Sequence, residues 1–476
     1  PSSLSDLRDV HDLAKLYPSE YLFTMDLAER RRALLAFLGR VGPAKAVELQ
    51  HHLGLSQPAF SRLVHTAAAD LLVVGRARAT RYAARRPIAG IEGQTSVYAV
   101  DEAGGTARVA DLHAVQPRGF YWESLRSDVA SRFYDDLPYL LLDERPAGYL
   151  GRLVPKRHPD LGAPLDITRW SADDCLRYFV RYGWDLPGNL IVGDAALMRY
   201  LEDARTEGTA IATEDRSELY PRIADDVLAH GPPGSSAAGE QPKFLARRAP
   251  GAVDVLVKVS PRLEGVVAER VADLLICEHV GHRVLVAHGY EAPRSELVRS
   301  RDRLFLEVER FDRTSAHGRR GVLSLLALDV EHVGTNLSSW SATAGALERQ
   351  GRLSAEAARR IRELELFGAL IGNTDMHFGN LSLLMDGERV LGVAPAYAMV
   401  PMLFAPEHGQ LVARMLAPRI PEPTQADAFE RPWRAALDFW AQVVREPGIS
   451  ASFVPIAMAS LRVVGELEDL VRRLPR

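Results

Sequence analysis

Asn373-Thr374-Asp375-Met376-His377-Phe378-Gly379-Asn380, running directly into Leu381-Ser382-Leu383-Leu384, is the stretch on which the reading of this chain turns. Asp375 precedes Asn380 by five residues, so one short loop carries both a carboxylate and a carboxamide. Upstream, from Ser354 to about Leu370, the residues Ala358, Ile361, Leu364 and Phe367 recur at the spacing of one helical face. Downstream, Leu381 to Met385 has the apolar character of a strand, and Asp386-Gly387 reads as a hairpin turn. A loop held between a helix and a strand is a rigid mount for chemistry.

Outward from that loop, the two sides differ. On the N-terminal side, Gly231-Pro232-Pro233-Gly234-Ser235-Ser236 is a flexible break, followed by strands expected at Lys243 to Ala246, Val253 to Val259 and Leu304 to Val308. From Ser324 onward most of the chain reads as helix. The expected class is therefore α+β, with an arm over 1–25, a small domain over 26–95, a strand-rich part over 96–323 and an all-α part over 324–476. Residues 96–235 give mixed signals, with strand-like Ser96 to Val100 and aromatic Phe120 to Trp122, and no chemistry is visible there.

Composition excludes several classes of function. With 47% hydrophobic and 25% charged residues, the 476-residue chain is that of an ordinary globular protein of several domains. No stretch approaches the ~20 apolar residues of a membrane span. Pro-Ser-Ser-Leu-Ser-Asp at the start has no secretory or transit pattern, so a cytoplasmic location is expected, with association with the nucleoid as a variant of it. Cys175 and Cys277 are too few for a disulfide framework and read as buried apolar residues.

The formal charge of −4 is unevenly spread. From Arg30 to Arg86 there are 11 Lys and Arg against Glu48 and Asp70 alone, a local surface for a polyanion. In the same region Leu34, Phe37, Leu38 and Val41 form one helical face ended by Gly42-Pro43. A second helix is expected from about Ala44 to Leu53, and a third is opened by Ser56 as cap, with Phe60, Leu63 and Val64 inward. Leu71 to Val74 and Thr80 to Ala83 flank the basic turn Gly75-Arg76-Ala77-Arg78. Three helices and a hairpin make a winged helix. The segment Leu53-Gly54-Leu55-Ser56-Gln57-Pro58 resembles the turn of bacterial winged helix-turn-helix regulators. That resemblance implies DNA binding, with Gln57, Ser61 and Arg62 facing the groove and Arg76, Arg78 and Arg81 meeting the backbone. The competing reading is a protein-interaction module whose basic residues are merely solvated.

The Asp375-to-Asn380 separation is that of the kinase loop Asp-x-x-x-x-Asn. Phosphoryl transfer needs a carboxylate on the acceptor hydroxyl, metal ligands and a cation on the phosphates. Alone the spacing is weak. Together with Ser236-Ala237-Ala238-Gly239-Glu240-Gln241-Pro242-Lys243, Val257-Lys258 and Glu309-Arg310-Phe311-Asp312-Arg313, in that order, it resembles the HipA family of bacterial toxin serine/threonine kinases, in the variant with a winged helix-turn-helix in front. The match covers roughly residues 235–405. It implies a two-lobed, HipA-like protein-kinase fold, ATP and Mg2+ as cofactors, and a protein acceptor, in some members a component of translation.

Residue by residue, the resemblance implies Asp375 as catalytic base, Asn380 as metal ligand and Lys258 on the α- and β-phosphates. Glu309 and Phe311 would lie at the adenine hinge. Ala238, Gly239, Glu240, Gln241 and Lys243 would cover the phosphates, with His377 and Tyr397 also beside the nucleotide. Ser236 would be the site of autophosphorylation, and Glu269 is the expected partner of Lys258. One departure stands out: the family's second metal ligand is an Asp in a segment similar to Ala-Pro-x-Tyr-Asp, and here Ala394-Pro395-Ala396-Tyr397 is followed by Ala398. That removes the main anionic ligand of the bridging ion. An introduced substitution and a natural pseudokinase both account for Ala398; the intact motifs around it favour the first. A transcription regulator with a kinase-like sensor half is the alternative reading of the whole chain. Winged-helix repressors commonly act as dimers, so a homodimer joins the expectations, and no membrane partner does.

Overall fold

The computed structural model describes residues 25–205, 210–230, 241–314, 317–335, 339–418, 421 and 423–474. The chain divides into two compact units: residues 1–97 with 109–138, and residues 98–108 with 139–476. Strands β4 (Thr95–Val100) and β5 (Thr106–Ala114) carry the chain from one unit into the other and back.

In the first unit, α1 (Leu27–Val41) starts on a capping box in which Asp26 and Glu29 satisfy each other's backbone N–H groups. The short β1 (Ala44–Lys45) occupies the expected start of the second helix, so α2 is Ala46–Leu53. The third helix, α3, spans Gln57–Thr66, and β2 (Leu71–Val74) and β3 (Arg81–Ala84) complete an antiparallel sheet in the order β1-β3-β2. Leu34, Leu38, Leu49, Leu53, Phe60 and Leu63 fill the core between these elements. Two local expectations are corrected. Val41, the last residue of α1, is 48% exposed, and the buried residues of the helix are Ala33, Leu34 and Leu38. Ser56 stands at the cap position of α3 but its side chain makes no cap hydrogen bond. Beyond β3, β6 (Phe120–Ser124) pairs with β5 and with β7 (Arg132–Tyr134). Residues 109–138 thus cluster with the N-terminal unit, a division not visible in the sequence.

The second unit opens with helices where strands were expected to dominate. They are α4 (Gly148–Arg157), α5 (Ala172–Tyr182), α6 (Asp194–Arg205) and α7 (Arg216–His230), with the short β8 (Leu190–Val192) between α5 and α6. A four-stranded antiparallel sheet follows, built from β9 (Lys243–Arg248), β10 (Val253–Val259), β11 (Ser295–Arg299) and β12 (Leu304–Glu309) in the order β11-β12-β10-β9, with α8 (Val266–Ala287) between β10 and β11. The two-residue alternation of β10 sends Val255, Val257 and Val259 into a core with Tyr149, Leu153, Tyr220 and Phe305. Lys258 therefore lies on the opposite face.

The part from residue 324 is not all-helical. Gly321–Ser324 (β13), Ser382–Asp386 (β14) and Arg389–Val393 (β15) form a three-stranded antiparallel sheet, with the turn at Asp386-Gly387 where the sequence placed it. Around it stand α9 (Leu325–His332), α10 (Trp340–Arg349), α11 (Ala355–Ile371), α12 (Glu430–Arg445), α13 (Val454–Gly465) and α14 (Glu468–Arg473). Ser354 caps α11, and Ala358, Ile361, Leu364 and Phe367 are all buried, as their spacing predicts. Gly372 ends α11 at φ 75°, the left-handed conformation that only glycine adopts freely, and releases the chain into the 373–380 loop. Both cysteines are buried and neither forms a disulfide.

Candidate functional site

Lys258 and its surroundings form one half of the site. The Lys258 Nζ donates to both carboxylate oxygens of Glu278 on α8, each at 2.6 Å. The Glu278 side chain is only 3% exposed. Burial pushes its carboxyl up, but the charge and hydrogen bonds of Lys258 outweigh burial and hold it below its ordinary value. His282, one turn further along α8, is pushed down to about 4 by burial, so it stays neutral, and its Nδ1 shares a hydrogen bond with Ser295 Oγ at 2.9 Å.

The expected lysine partner, Glu269, is exposed in the first turn of α8, and the structure puts Glu278 in its place. A signal for this was available. Glu278 sits inside Leu274-Leu275-Ile276-Cys277-Glu278-His279-Val280, and a carboxylate within an apolar run needs a cation when buried.

Lys243 lies directly across the ladder from Lys258, and its charge also lowers Glu278. The Gln241 side-chain amide donates to the Val259 carbonyl. Ser236, Ala238, Gly239 and Glu240 lie outside the described residues. Glu309 closes β12 with its carboxylate 2.5 Å from Arg248 and its amide N–H donated to the Arg294 carbonyl at 2.9 Å, so both groups are engaged within the protein.

The 373–380 loop is the other half. Asn373, buried, donates through Nδ2 to the Ala398 carbonyl at 3.0 Å and accepts the Asp375 N–H at 3.1 Å. Asn380 Nδ2 donates to the Asp375 carbonyl at 2.7 Å, which leaves its Oδ1 as the atom able to ligate a cation. His377 accepts the Gly379 N–H at Nδ1, 3.1 Å away, and so braces the loop. The Asp375 carboxyl is exposed in a groove of about 1450 Å³ that Arg349, Arg362, Glu365 and Leu366 also line.

Tyr397 closes this half from the other side. Its hydroxyl donates to the Gly379 carbonyl at 2.8 Å and pairs with Ser382 Oγ at 2.8 Å, while its ring stacks on Phe311 with centroids 5.7 Å apart. Burial raises its phenol above the ordinary value. Ala398 then takes φ 54°, a left-handed conformation that Asp and Asn adopt more readily than Ala.

Helix α8 joins the halves. Gly281, one turn beyond Glu278, lies against Met399; a Cβ there would be 3.1 Å from the Met399 carbonyl oxygen, so a side chain would require the 399 backbone to give by a few tenths of an ångström. Sequence reasoning gave no role to Glu278, Asn373 or Gly281, whose partners Lys258, Ala398 and Met399 stand well apart from them in the chain.

In the first unit, Gln57, Ser61, Arg62, Arg76, Arg78 and Arg81 are all exposed. Gln57 accepts a hydrogen bond from Gln50, and Asp70, one of the two acids in the basic block, is neutralised by Arg31. Among the described residues no helix is long and apolar enough to cross a membrane, and no group of three or more His, Cys, Asp or Glu is arranged to hold a metal ion.

Residues 91–201 match the family described as YjjJ-like toxin, middle domain, and residues 235–447 match the HipA-like C-terminal domain. Over 439 residues the chain is 34% identical to Toxin YjjJ of Escherichia coli (strain K12), spanning 91% of this chain and 97% of that protein. A structure of HipA from Shewanella oneidensis MR-1, solved with HipB and its operator DNA, superposes with a TM-score of 0.50 at 17% identity, covering 80% of this chain and all of that one. The chain belongs to the YjjJ-like toxins of the HipA family.

Proposed function

We propose that the chain is a toxin-type protein kinase of a HipA-like toxin–antitoxin system, built to transfer the ATP γ-phosphate to a serine or threonine hydroxyl, with its own DNA-binding domain in front. The observation that carries the reading is the joining, through α8, of a buried Lys258–Glu278 pair to a braced loop bearing Asp375 and Asn380. A lysine held by a buried carboxylate is a fixed cation for phosphates, and an exposed carboxylate on a rigid loop can orient and deprotonate a hydroxyl. The nucleotide therefore fits the residues present. Magnesium fits them only in part: Asn380 Oδ1 is one donor, but Ala398 contributes no carboxylate, and we derive no step through the ion.

The N-terminal unit, read as a winged helix, would bind DNA through Gln57, Ser61 and Arg62 on α3 and through Arg76, Arg78 and Arg81 on the hairpin. Their exposure, and the operator DNA bound in the HipA relative's structure, support this. A second reading, a DNA-binding regulator whose kinase-like half only senses nucleotide, is favoured by Ala398 alone.

One experiment separates the readings. The chain and its Ala398→Asp variant are incubated with labelled ATP and magnesium, and phosphate on Ser236 is sought by mass spectrometry. Label on the Asp form establishes a kinase silenced at one ligand. Nucleotide binding without label in either form selects the sensor, and no binding in either form ends the nucleotide reading.

A further inference from the structure

Residues 183–188 meet the 310–313 segment through charge rather than apolar packing. Asp185 Oδ1 accepts from Arg310 at 2.9 Å and from Arg313 at 2.8 Å. Arg313 also donates to the carbonyls of Leu186 at 2.7 Å and Gly188 at 3.0 Å, and Asp312 accepts the Gly188 N–H at 3.0 Å. The side chains of Arg310, Asp312 and Arg313 are 9%, 10% and 5% exposed and that of Asp185 is 31% exposed, while the buried Arg319 adds a third guanidinium beside them, so Asp185 and Asp312 together offset a crowd of positive charge. Asp185 is the carboxylate from outside the segment that accepts from both arginines, with the Asp254 charge also acting on Arg310. Without it the cluster holds an excess of buried positive charge and must rearrange.

The cluster flanks Phe311 on both sides in the chain, and Phe311 stacks on Tyr397. Tyr397 in turn holds the Gly379 carbonyl, one residue from Asn380. An unbroken series of contacts thus runs from residue 185 of the middle region, through Arg310, Arg313, Phe311 and Tyr397, to the loop that carries Asp375 and Asn380. We propose that Asp185 is a positioning residue for that loop, acting through the two arginines and the Phe311–Tyr397 stack. Its catalytic consequence rests on the phosphotransfer reading; its effect on the loop does not.

Contiguity does not by itself establish coupling, so the test measures coupling. In the full chain, amide hydrogen exchange at Gly379 and Asn380 is compared among the parent, Asp185→Asn, Tyr397→Phe and the double variant. Asn keeps the size and loses the charge; Phe keeps the stack and loses the hydroxyl. Each single variant is expected to speed exchange at these two amides about tenfold, with no further acceleration in the double variant and protection regained in Asp185→Glu. Unchanged exchange in Asp185→Asn, independent effects that multiply in the double variant, or a loosening spread evenly over the second unit would each overturn the proposal. If Asp185→Asn does not fold, Arg313→Lys, which keeps the charge and loses the forked geometry, carries the same expectation. ATP titration of the same variants separates the two levels. Selective loosening in these variants, with no ATP bound by either the parent or Ala398→Asp, refutes the phosphotransfer reading and leaves the role of Asp185 standing.

Discussion

In the sheet half of the candidate site, half-buried cations face carboxylates: Lys258 meets the buried Glu278, and Arg248 meets the buried Glu307 and the half-buried Glu309. In the loop half, the 373–380 backbone is held by neutral donors and acceptors from Asn373, His377, Asn380 and Tyr397. The first arrangement fails when one partner is removed or protonated, because the other charge is left desolvated. The second has no such weakness and can receive an added carboxylate at 398 without upsetting an existing balance.

The largest effect is expected from Glu278→Ala, which strands Lys258: a loss of about 3–5 kcal/mol in urea unfolding, with Glu278→Gln losing less. Equal loss for Ala and Gln would mean that packing, not charge, dominates there.

Acid sensitivity comes next. His282 titrates at about 4 in the fold against 6.5 in the unfolded chain. At pH 7 both states are neutral and the shift contributes nothing; as pH falls below 6.5 the unfolded chain takes up a proton that the fold refuses. Stability is therefore lost between pH 6.5 and 4, by about 3 kcal/mol, and His282→Gln should flatten that limb of the stability profile. Glu278, held below its ordinary value, adds stability at neutral pH that disappears as pH drops through its folded value. A profile unchanged by His282→Gln would show that other groups govern acid unfolding.

Gly281→Ala probes the joint between the halves. The helix gains propensity but the new methyl meets the Met399 carbonyl, for a net cost of about 1 kcal/mol and a displaced 397–400 segment visible in a crystal structure. The smallest change belongs to the loop half. Ala398→Asp should alter unfolding by no more than about 0.5 kcal/mol, since the backbone there already suits Asp, while making nucleotide binding dependent on magnesium. A loss of several kcal/mol would show that the loop half does not tolerate the carboxylate.

Much of this was legible in the chain itself. Helices α1, α3 and α11 follow from apolar spacing within one segment, and the Asp375 and Asn380 loop stands where a helix and a strand bracket it. The partner of Lys258 was misplaced at Glu269 because proximity in sequence says little about which turn of α8 faces a given strand residue. Residues 96–235 give mixed signals and no visible chemistry in the sequence because contacts such as that of Asp185 with Arg310 and Arg313 are made across more than a hundred positions. The three-stranded sheet of the C-terminal part escaped notice since β13 and β15 are short and pair only through β14.

By itself the sequence determined the local elements, the basic block at one end, the loop with its carboxylate and carboxamide, and the absence of a carboxylate at 398. Hydrogen bonds within a helix, caps and turn geometry involve residues a few positions apart, so they are written where they act. Only the tertiary structure decided that Glu278 receives Lys258, that Gly281 admits Met399 and that Asp185 reaches the arginines flanking Phe311. Those choices depend on which side chains packing brings within about 3 Å of one another after burial has made an unpaired charge costly, and no local pattern encodes that.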